Sequence, residues 1–247
     1  IYLHIHKMAN LIIDIGNTLC KVAVFENQVI TQKFQHADID INFLKQQVNF
    51  STISVCLVSS TRAKPEKLIA EIQRDTKCLW LDTNLNLPFI NKYATPSTLG
   101  KDRIALAAAA ASEFKDQNTL VLDAGTCLTY EMVNSENEYL GGAISPGKQM
   151  RFKALNFFTE QLPLVEPKKP FDLIGGTTES NIISGVINGM TAEMDGTINA
   201  YKSRFSKLNV VLTGGDQVFF AECLKNNFFA RPQFLLKGLN FIAELNA

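Results

Sequence analysis

The sequence predicts an α/β protein in which one domain plan occurs twice. Residues 11–34 and residues 119–144 follow the same order: a short apolar strand that ends in an acid, a turn that contains glycine, and two further strand-forming stretches. Helix-forming stretches and additional strands follow each copy. Three antiparallel strands followed by helices and strands, repeated in one chain, indicate two α/β domains that face a cleft.

The first copy opens with an apolar run that ends at Asp14. Runs rich in β-branched residues, separated by turns that contain Asn or Gly, predict an antiparallel meander. The remaining elements of this copy are predicted as strands over residues 21–25, 29–34 and 55–59 and as helices over residues 65–76 and 101–114.

The second copy repeats this order from an apolar run that ends at Asp123. Its elements are predicted as strands over residues 120–123, 128–133, 139–144 and 208–213 and as helices over residues 179–205 (one helix or two) and 238–245. A polar stretch at residues 116–118 marks a boundary, so we predict domains over residues 8–117 and 118–247. Residues 1–7 precede the first patterned strand; we expect an upstream extension or a misplaced start there and exclude them from the fold prediction.

Composition argues against several classes of function. Lys and Arg together number 24, as do Asp and Glu, so the basic excess of a nucleic-acid-binding protein is absent. No apolar run reaches the length of a membrane span, so we expect no membrane partner. The five cysteines are scattered without CxxC spacing, which argues against a zinc site and a disulfide framework and favours a reducing cytoplasm.

The turn after Asp14 contains the residue types of a phosphate-binding turn. Gly16 lets backbone N–H groups approach an anion without a side-chain clash, and Asn17, Thr18 and Lys21 can add contacts to phosphate oxygens. A carboxylate does not bind phosphate, because like charges repel, so we interpret Asp14 as a holder of Mg²⁺ or of its bound water. One such turn is equally consistent with an ordinary hairpin corner, whereas two matching copies favour a phosphate site.

The second copy places Asp123 and Thr126 in the matching positions. The chain has no GxxxxGK[ST] loop and no protein-kinase signature, which excludes those two nucleotide-binding classes. Two acid-ended turns instead favour a duplicated actin-like (ribonuclease H-like) fold, in which two β-turns clamp the phosphates of ATP. Residues 209–216, a strand that ends in paired glycines, fit the adenosine-binding element of that fold.

Longer motifs resemble those of the type III pantothenate kinases over nearly the whole chain. They are Asp14-x-Gly16-Asn17-Thr18-x-x-Lys21, Tyr93-x-x-Pro96-x-x-Leu99-Gly100-Lys101-Asp102-Arg103, Asp123-Ala124-Gly125-Thr126 with Thr129, Gly141-Gly142-x-Ile144-x-Pro146-Gly147, and residues 178–185 and 235–239. The first motif and the Gly-x-Asp-Arg ending are together highly specific. The resemblance implies phosphorylation of pantothenate by ATP to 4'-phosphopantothenate, the first step of coenzyme A biosynthesis.

The resemblance also implies roles for individual residues. Asp102 is expected to be the general base that accepts the proton of the pantothenate hydroxyl, and Arg103 to bind the pantothenate carboxylate. Asp123 is expected to bind a monovalent cation, potassium or ammonium. The residues expected to bind ATP with Mg²⁺ are Asp14, Gly16, Asn17, Thr18, Lys21 and Thr126. The residues expected to bind pantothenate are Tyr93, Gly100, Lys101, Asp102, Arg103 and Thr178.

A homodimer is the assembly that the resemblance implies. The alanine-rich helix around residues 105–111 and the pair Gly185 and Gly189 predict close helix contacts, and helices of this kind meet across a dimer axis in the family. Cys127 and Leu128 depart from the family pattern, as does Glu131, which stands where the family has Asp and reaches further.

Two other functions stay open from the duplicated turns alone. Another actin-like sugar kinase or a phosphatase would share the turns, and residues 93–103 are what argues against it. A regulatory homologue without turnover would share the fold, but the intact acids Asp14, Asp102 and Asp123 argue against lost catalysis.

Overall fold

A computed structural model describes residues 9–167 and 170–247 of the chain. The expectation for residues 1–7 and the Met8 start of the first predicted domain therefore lie outside the described residues. The described residues form two compact units, the first within residues 9–115 and 234–247 and the second within residues 116–233. Each unit contains a mixed β-sheet and helices, so the predicted α/β class is confirmed.

The described elements alternate along the chain in the order that the two predicted copies require. The strands are β1 (Ala9–Ile15), β2 (Cys20–Glu26), β3 (Val29–His36), β4 (Ile53–Ser60), β5 (Lys77–Trp80), β6 (Ile90–Asn91), β7 (Thr119–Ala124), β8 (Cys127–Val133), β9 (Glu138–Pro146), β10 (Asn209–Thr213) and β11 (Phe229–Ala230). The helices are α1 (Ile41–Gln47), α2 (Glu66–Ile72), α3 (Lys101–Glu113), α4 (Lys148–Phe157), α5 (Thr178–Arg204), α6 (Gln217–Ala221) and α7 (Phe234–Leu245), with short 3₁₀ turns at Phe50–Thr52 and Pro96–Thr98.

The sheet of the first unit has the strand order β3-β2-β1-β4-β5. β1, β2 and β3 form the predicted antiparallel meander, whereas β4 runs parallel to β1 and β5 runs parallel to β4. The sequence did not predict α1, α4, α6, β5, β6 or β11, because each of these elements is short or lacks a clear apolar period. The register between β1 and β4 places Asp14 directly beside Ser59.

Alternation along the strands separates the two faces of this sheet. Leu11, Ile13 and Ile15 of β1 belong to an apolar core that also contains buried residues of α1 and α2. Asn10 and Asp14 point to the opposite face, because successive side chains of a strand alternate. On that face Asn10 Nδ2 donates to Asn240 Oδ1 of α7 at 3.0 Å. The alternation along β1 thus brings Asp14 to the face on which α7 packs.

The sheet of the second unit repeats the plan of the first. Its strands β9, β8, β7, β10 and β11 lie side by side in that order, with β7, β8 and β9 antiparallel and β10 parallel to both β7 and β11. The strands β7, β8, β9, β10 and β11 therefore correspond, in that order, to β1, β2, β3, β4 and β5 of the first unit. The predicted duplication is confirmed at the level of strand order, and it makes Asp123 the counterpart of Asp14.

The long helix α5 is continuous over 27 residues, which settles whether residues 179–205 form one helix or two. It begins after a capping box, in which the Thr177 side chain accepts the N–H of Ser180 and the Ser180 hydroxyl accepts the N–H of Thr177. Its apolar residues Met190, Met194 and Ile198 pack in the core of the second unit. None of the helices in residues 9–167 and 170–247 combines the length and the hydropathy of a membrane span.

Helix α7 differs from the predicted domain division. The sequence prediction placed residues 118–247 together, whereas residues 234–247 pack in the first unit. The physical reason is the small-residue face of α3, against which α7 packs. A Cβ added at Gly238 would overlap the carbonyl oxygen of Ala105 and lie 2.9 Å from the backbone N of Ala109. The close helix contact that the alanine run predicts is therefore made within the chain, to α7.

Gly238→Ala tests this close approach. An added methyl group must push α7 away from α3, and such overpacking costs at least about 1–3 kcal/mol, more than the ~1 kcal/mol that Ala gains over Gly inside a helix. We expect a lower free energy of unfolding, measured by urea titration of the fluorescence of Trp80, the one tryptophan, which lies in the same unit.

Gly196→Ala is the matched control for this substitution. Gly196 also lies inside a helix, but no atom lies within 4 Å of the position that its Cβ would take. Circular dichroism should report a gain of up to about 1 kcal/mol for this variant. Equal stability changes for the two variants would contradict the close packing of α3 on α7.

Candidate active site

In the first unit, three side chains form a row across the end of the sheet. Asp14 on β1 lies between Lys21 on β2 and Ser59 on β4, each in direct register with it. Residues in register on neighbouring strands point to the same face, so the three side chains are neighbours. Asp14 is 3% exposed and Ser59 is 0% exposed. A carboxylate and a hydroxyl are thus held side by side with almost no access to water.

The environment of Asp14 opposes its ionisation. Burial raises the pKa of its carboxyl from the ordinary 3.8 to about 6; the positive charge of Lys21 lowers this pKa, and the negative charge of Asp102 raises it. Ser59 also lowers it by acting as a hydrogen-bond donor to the carboxylate, although its Oγ lies outside strict hydrogen-bond geometry with every described group. Oδ1 of Asp14 is likewise buried without a hydrogen-bond partner among the described residues.

The turn that follows Asp14 is fixed by backbone contacts. Gly16 N–H donates to the carbonyl of Leu19 at 3.1 Å, which closes the turn. Arg62, just beyond β4, donates from Nη2 to the carbonyl of Asn17 at 2.9 Å. Asn17 and Thr18 are exposed at the tip, so their side chains are available to a ligand. Sequence reasoning missed Arg62, because its link to the turn spans 45 residues and depends on the parallel pairing of β1 with β4.

The Gly-x-Asp-Arg residues lie at the start of α3. Asp102 Oδ1 accepts the backbone N–H of Arg103 at 2.8 Å, and Gly100 lies directly against this oxygen. Arg103 is only 6% exposed, and its Cζ lies 5.5 Å from the ring centroid of Tyr93. The structure therefore brings together four of the residues predicted to bind pantothenate, and the electrostatic effect of Asp102 on Asp14 joins them to the phosphate turn.

Lys101 points to a different neighbour. Its Nζ lies 3.9 Å from the ring centroid of Trp80, a cation–π contact, and Lys64 Nζ lies 5.9 Å from the same ring. Partial burial lowers the pKa of Lys101, which Asp82 counteracts. The contact with Trp80 gives Lys101 a packing role at the helix start that the sequence did not reveal.

In the second unit, Asp123 occupies the corresponding row. It lies on β7 between Thr129 on β8 and Thr213 on β10, each in register with it. Thr129 Oγ1 is buried and has no hydrogen-bond partner within the described part of the chain. Gly214 has φ of +98°, and a Cβ there would overlap Asp123 Oδ1. Only glycine suits both this backbone conformation and this close approach.

The turn of the second unit is enclosed by the start of α4. Gly147 lies against the carbonyl oxygens of Gly125 and Thr126. Lys148, the first residue of α4, places its Nζ 2.6 Å from Asp216 Oδ1 and 4.3 Å from the ring centroid of Phe219. Asp216 N–H in turn donates to the carbonyl of Ala124 at 2.8 Å. Sequence reasoning missed Lys148, because no local pattern links it to Asp216.

Thr178 lies beside a groove of the second unit. It is the first residue of α5 and borders a groove of about 850 Å³ between α4 and α5.

Glu131 lies on the same face of β8 as Thr129. It is fully buried and accepts a hydrogen bond from the hydroxyl of Tyr139 at 2.6 Å. Its longer side chain thus reaches a structural partner.

The donor sets fit cations that are bound partly by a nucleotide. No three His, Cys, Asp or Glu side chains cluster as a metal site in residues 9–167 and 170–247. Mg²⁺ in nucleotide sites is commonly bound through one or two carboxylates, waters and phosphate oxygens. The buried Oδ1 of Asp14, which lacks a partner among the described groups, matches that requirement.

Comparisons with known proteins identify the family. The family model described as type III pantothenate kinase matches residues 10–200. A type III pantothenate kinase from Christiangramia forsetii is 48% identical over 239 residues, which cover 96% of this chain and 98% of the relative. Another from Bacteroides fragilis is 42% identical over 238 residues, with coverage of 96% and 98%.

Solved structures agree with the predicted actin-like fold. A protein of the Baf family of transcriptional activators from Campylobacter jejuni superposes with a TM-score of 0.65 at 19% identity, covering 96% of this chain and 98% of the other. The activator of 2-hydroxyisocaproyl-CoA dehydratase from Clostridium difficile, solved with bound ADPNP, gives a TM-score of 0.51 at 13% identity, covering 97% and 94%. At these identities the likeness concerns the fold alone. The family model and the relatives matched over nearly their full length show that this chain belongs to the type III pantothenate kinase family.

Proposed function

We propose that this chain transfers the γ-phosphate of ATP to pantothenate, giving 4'-phosphopantothenate in the first step of coenzyme A biosynthesis. Its family membership carries this proposal. The acids Asp14 and Asp102, close enough to influence each other electrostatically, support it from the structure. Neither a different actin-like sugar kinase or phosphatase nor a regulatory homologue without turnover has support from the relatives. A coupled assay for release of ADP, with and without pantothenate, tests the activity directly.

One group of residues in the first unit is proposed to bind Mg²⁺ and the phosphates of ATP, and another group is proposed to bind pantothenate. We propose that Asp14 holds the hydrated Mg²⁺, while Lys21 and the turn residues Gly16, Asn17 and Thr18 bind phosphate oxygens. Mg²⁺, when bound with ATP, neutralises charge on the transferring phosphoryl group. Thr126 of the second unit is proposed to contact ATP from the other copy of the turn.

The acceptor side is proposed to lie at the start of α3. Asp102 accepts the proton of the pantothenate hydroxyl, and Arg103 binds the pantothenate carboxylate through its planar fork of donors. The ring of Tyr93 keeps the guanidinium of Arg103 in place. Gly100, Lys101 and Thr178 complete the proposed pantothenate contacts. Because phosphoryl transfer has a loose transition state, Asp102 contributes mainly by positioning the hydroxyl.

Asp102→Asn should lower turnover roughly 10²-fold or more, the usual scale for a general base. The affinity for Mg²⁺–ATP should be unchanged or slightly tighter, because removing the negative charge of Asp102 favours ionised Asp14. Glu113→Gln, at the other end of the same helix, is the matched control and should retain turnover. Near-normal turnover of Asp102→Asn would remove Asp102 from the chemical step.

Asp14→Asn should stabilise the nucleotide-free protein in a pH-dependent way. The pKa of Asp14 is about 6 in the folded protein and has the ordinary value of 3.8 in the unfolded chain. Between these two pH values the folded protein keeps the proton on Asp14 and the unfolded chain releases it. The free energy of unfolding therefore falls as the pH rises through this interval, by on the order of 3 kcal/mol, and stays lower above it. Asn is neutral at every pH and avoids this loss.

Urea titrations of both proteins at about pH 8 and about pH 4 measure this effect. The variant should be the more stable protein at the higher pH and lose that advantage at the lower one. If the difference in free energy of unfolding between the two proteins does not depend on pH, ionisation of buried Asp14 does not destabilise the folded protein. The same variant should bind Mg²⁺–ATP poorly, since its side chain no longer carries the negative charge.

Asp123 is proposed to bind a monovalent cation, potassium or ammonium. Asp123 shares its row with two threonine hydroxyls, and Thr129 Oγ1 is buried without a described hydrogen-bond partner. Oxygen ligands of this kind suit a weakly hydrated cation. Turnover should be slow in sodium-only buffer and recover with potassium or ammonium, whereas Asp123→Asn should respond to neither ion. Equal rates of the unmodified enzyme in the three salts would exclude a cation site.

We propose a homodimer that forms through the groove between α4 and α5. Leu155, Ile182 and Val186 line this groove, and Phe158 at its side is 80% exposed. Nothing lies within 4 Å of a Cβ placed at Gly185, so this surface has room for a second chain. Because Thr178 borders the same groove, we propose that it completes the pantothenate site of the partner.

A complementation experiment tests the shared site. Asp102→Asn and Thr178→Lys should each be nearly inactive as homodimers. After mixing and refolding, about half of the dimers are heterodimers with one intact site each, so about a quarter of the unmodified activity should return. A mixture as inactive as its components would place both residues in a site within one chain, and the proposed kinase function of the unmodified protein would still stand.

The proposed location is the reducing cytoplasm. All five cysteines are free thiols in the structure, with Cys20 and Cys56 buried. The balanced charge continues to argue against a nucleic-acid partner. Both statements stay predictions.

A further inference from the structure

Ser59 is a buried polar residue that none of the roles proposed above uses. Its side chain is completely buried, and Oγ makes no hydrogen bond within the described part of the chain. Asp14, in register with it on β1, has a buried Oδ1 in the same condition. Two adjacent buried polar atoms without hydrogen bonds are uncommon in a folded protein and call for an explanation.

A purely structural role does not explain Ser59. A buried hydroxyl without a hydrogen bond costs stability, and alanine would fill nearly the same space without that cost. The other serines of β4 are satisfied: Ser54 donates to the carbonyl of Ala9 or to Asn10 Oδ1, and Ser60 accepts the N–H of Arg62. The strand therefore leaves one hydroxyl unsatisfied, and it is the one beside Asp14.

The second unit carries a hydroxyl at the corresponding place. Thr213 of β10 is in register with Asp123, as Ser59 of β4 is in register with Asp14. Both hydroxyls lie on the parallel neighbour of the acid-bearing strand, and both are buried. The duplicated plan thus pairs each acid with a hydroxyl, although the two strands otherwise differ in sequence.

We propose that Ser59 is a positioning residue of the Mg²⁺–ATP site, with its Oγ accepting a hydrogen bond from a water molecule of the hydrated ion that Asp14 holds. The polarity of the groups favours this arrangement. A metal-bound water can only donate hydrogen bonds, and a serine hydroxyl can accept one while it donates its own proton to a carboxylate. One water would thereby use the acceptor capacity of Ser59 Oγ, while the hydroxyl proton of Ser59 is directed to Asp14. This inference rests on the proposed role of Asp14 in holding Mg²⁺.

Ser59→Ala is the test, read by metal binding without turnover. Titration calorimetry in the presence of ATP and absence of pantothenate should show the affinity for Mg²⁺ reduced by about 10- to 100-fold, the usual effect of losing an outer-shell partner. Binding of metal-free ATP should not change. The urea midpoint of the nucleotide-free variant should be unchanged or higher, because the substitution removes an unsatisfied buried hydroxyl.

Two further variants separate the possible outcomes. Ser54→Ala, on the same strand but with a hydrogen-bonded hydroxyl, should lower the urea midpoint and leave the affinity for Mg²⁺ unchanged. If Asp14→Asn weakens Mg²⁺ binding and Ser59→Ala does not, the role of Ser59 is wrong while that of Asp14 stands. If Asp14→Asn leaves Mg²⁺ binding intact, the proposed metal site itself is wrong. A lower urea midpoint of Ser59→Ala with equal loss of metal-free ATP binding would assign Ser59 a structural role and overturn the inference.

Discussion

The register between β1 and β4 is the constraint on which the first unit depends. Parallel pairing in this register buries Asp14 beside Ser59 on the face that α7 covers, while Ile13 and Ile15 enter the opposite core. A slip of one residue would turn every side chain of β1 to the wrong face and bury the carboxylate among apolar groups. The core therefore fixes the position of the acid. A cation that binds to Asp14 offsets the unfavourable free energy of its buried charge, so binding of that cation stabilises the folded protein.

The two copies of the plan share geometry but differ in charge. In the first row a lysine flanks the acid, whereas in the second row threonine hydroxyls flank it on both sides. Lys21 supplies positive charge next to Asp14 and favours phosphate, while the hydroxyls around Asp123 supply only oxygen atoms and dipoles. This difference is consistent with a divalent ion carried by ATP in the first unit and a monovalent cation in the second.

Residues outside the recognisable motifs hold the motif residues in place. Arg62 donates a hydrogen bond to the backbone of the first turn. The ring of Trp80 makes a cation–π contact with Lys101 at the start of α3. Lys148 forms an ion pair with Asp216 beside the second turn. Each of these contacts joins segments that are far apart in sequence. Substituting one of them is expected to affect ligand binding through the position of the turn, without removing a group that contacts the ligand.

The sequence by itself determined the duplicated strand order and the two acid-ended turns, because these features are local and occur twice. It also determined the Gly-x-Asp-Arg helix start, because this motif is contiguous and resembles that of the family. The unsatisfied hydroxyl of Ser59, the contact from Arg62 to Asn17 and the Lys148–Asp216 pair depend on which strands and helices become neighbours, so only the tertiary structure could decide them. The place of α7 was decided in the same way. Its own amphipathic sequence predicts a helix, but the small faces of Gly238 and the α3 alanines, which allow their backbones to touch, determine that it packs in the first unit.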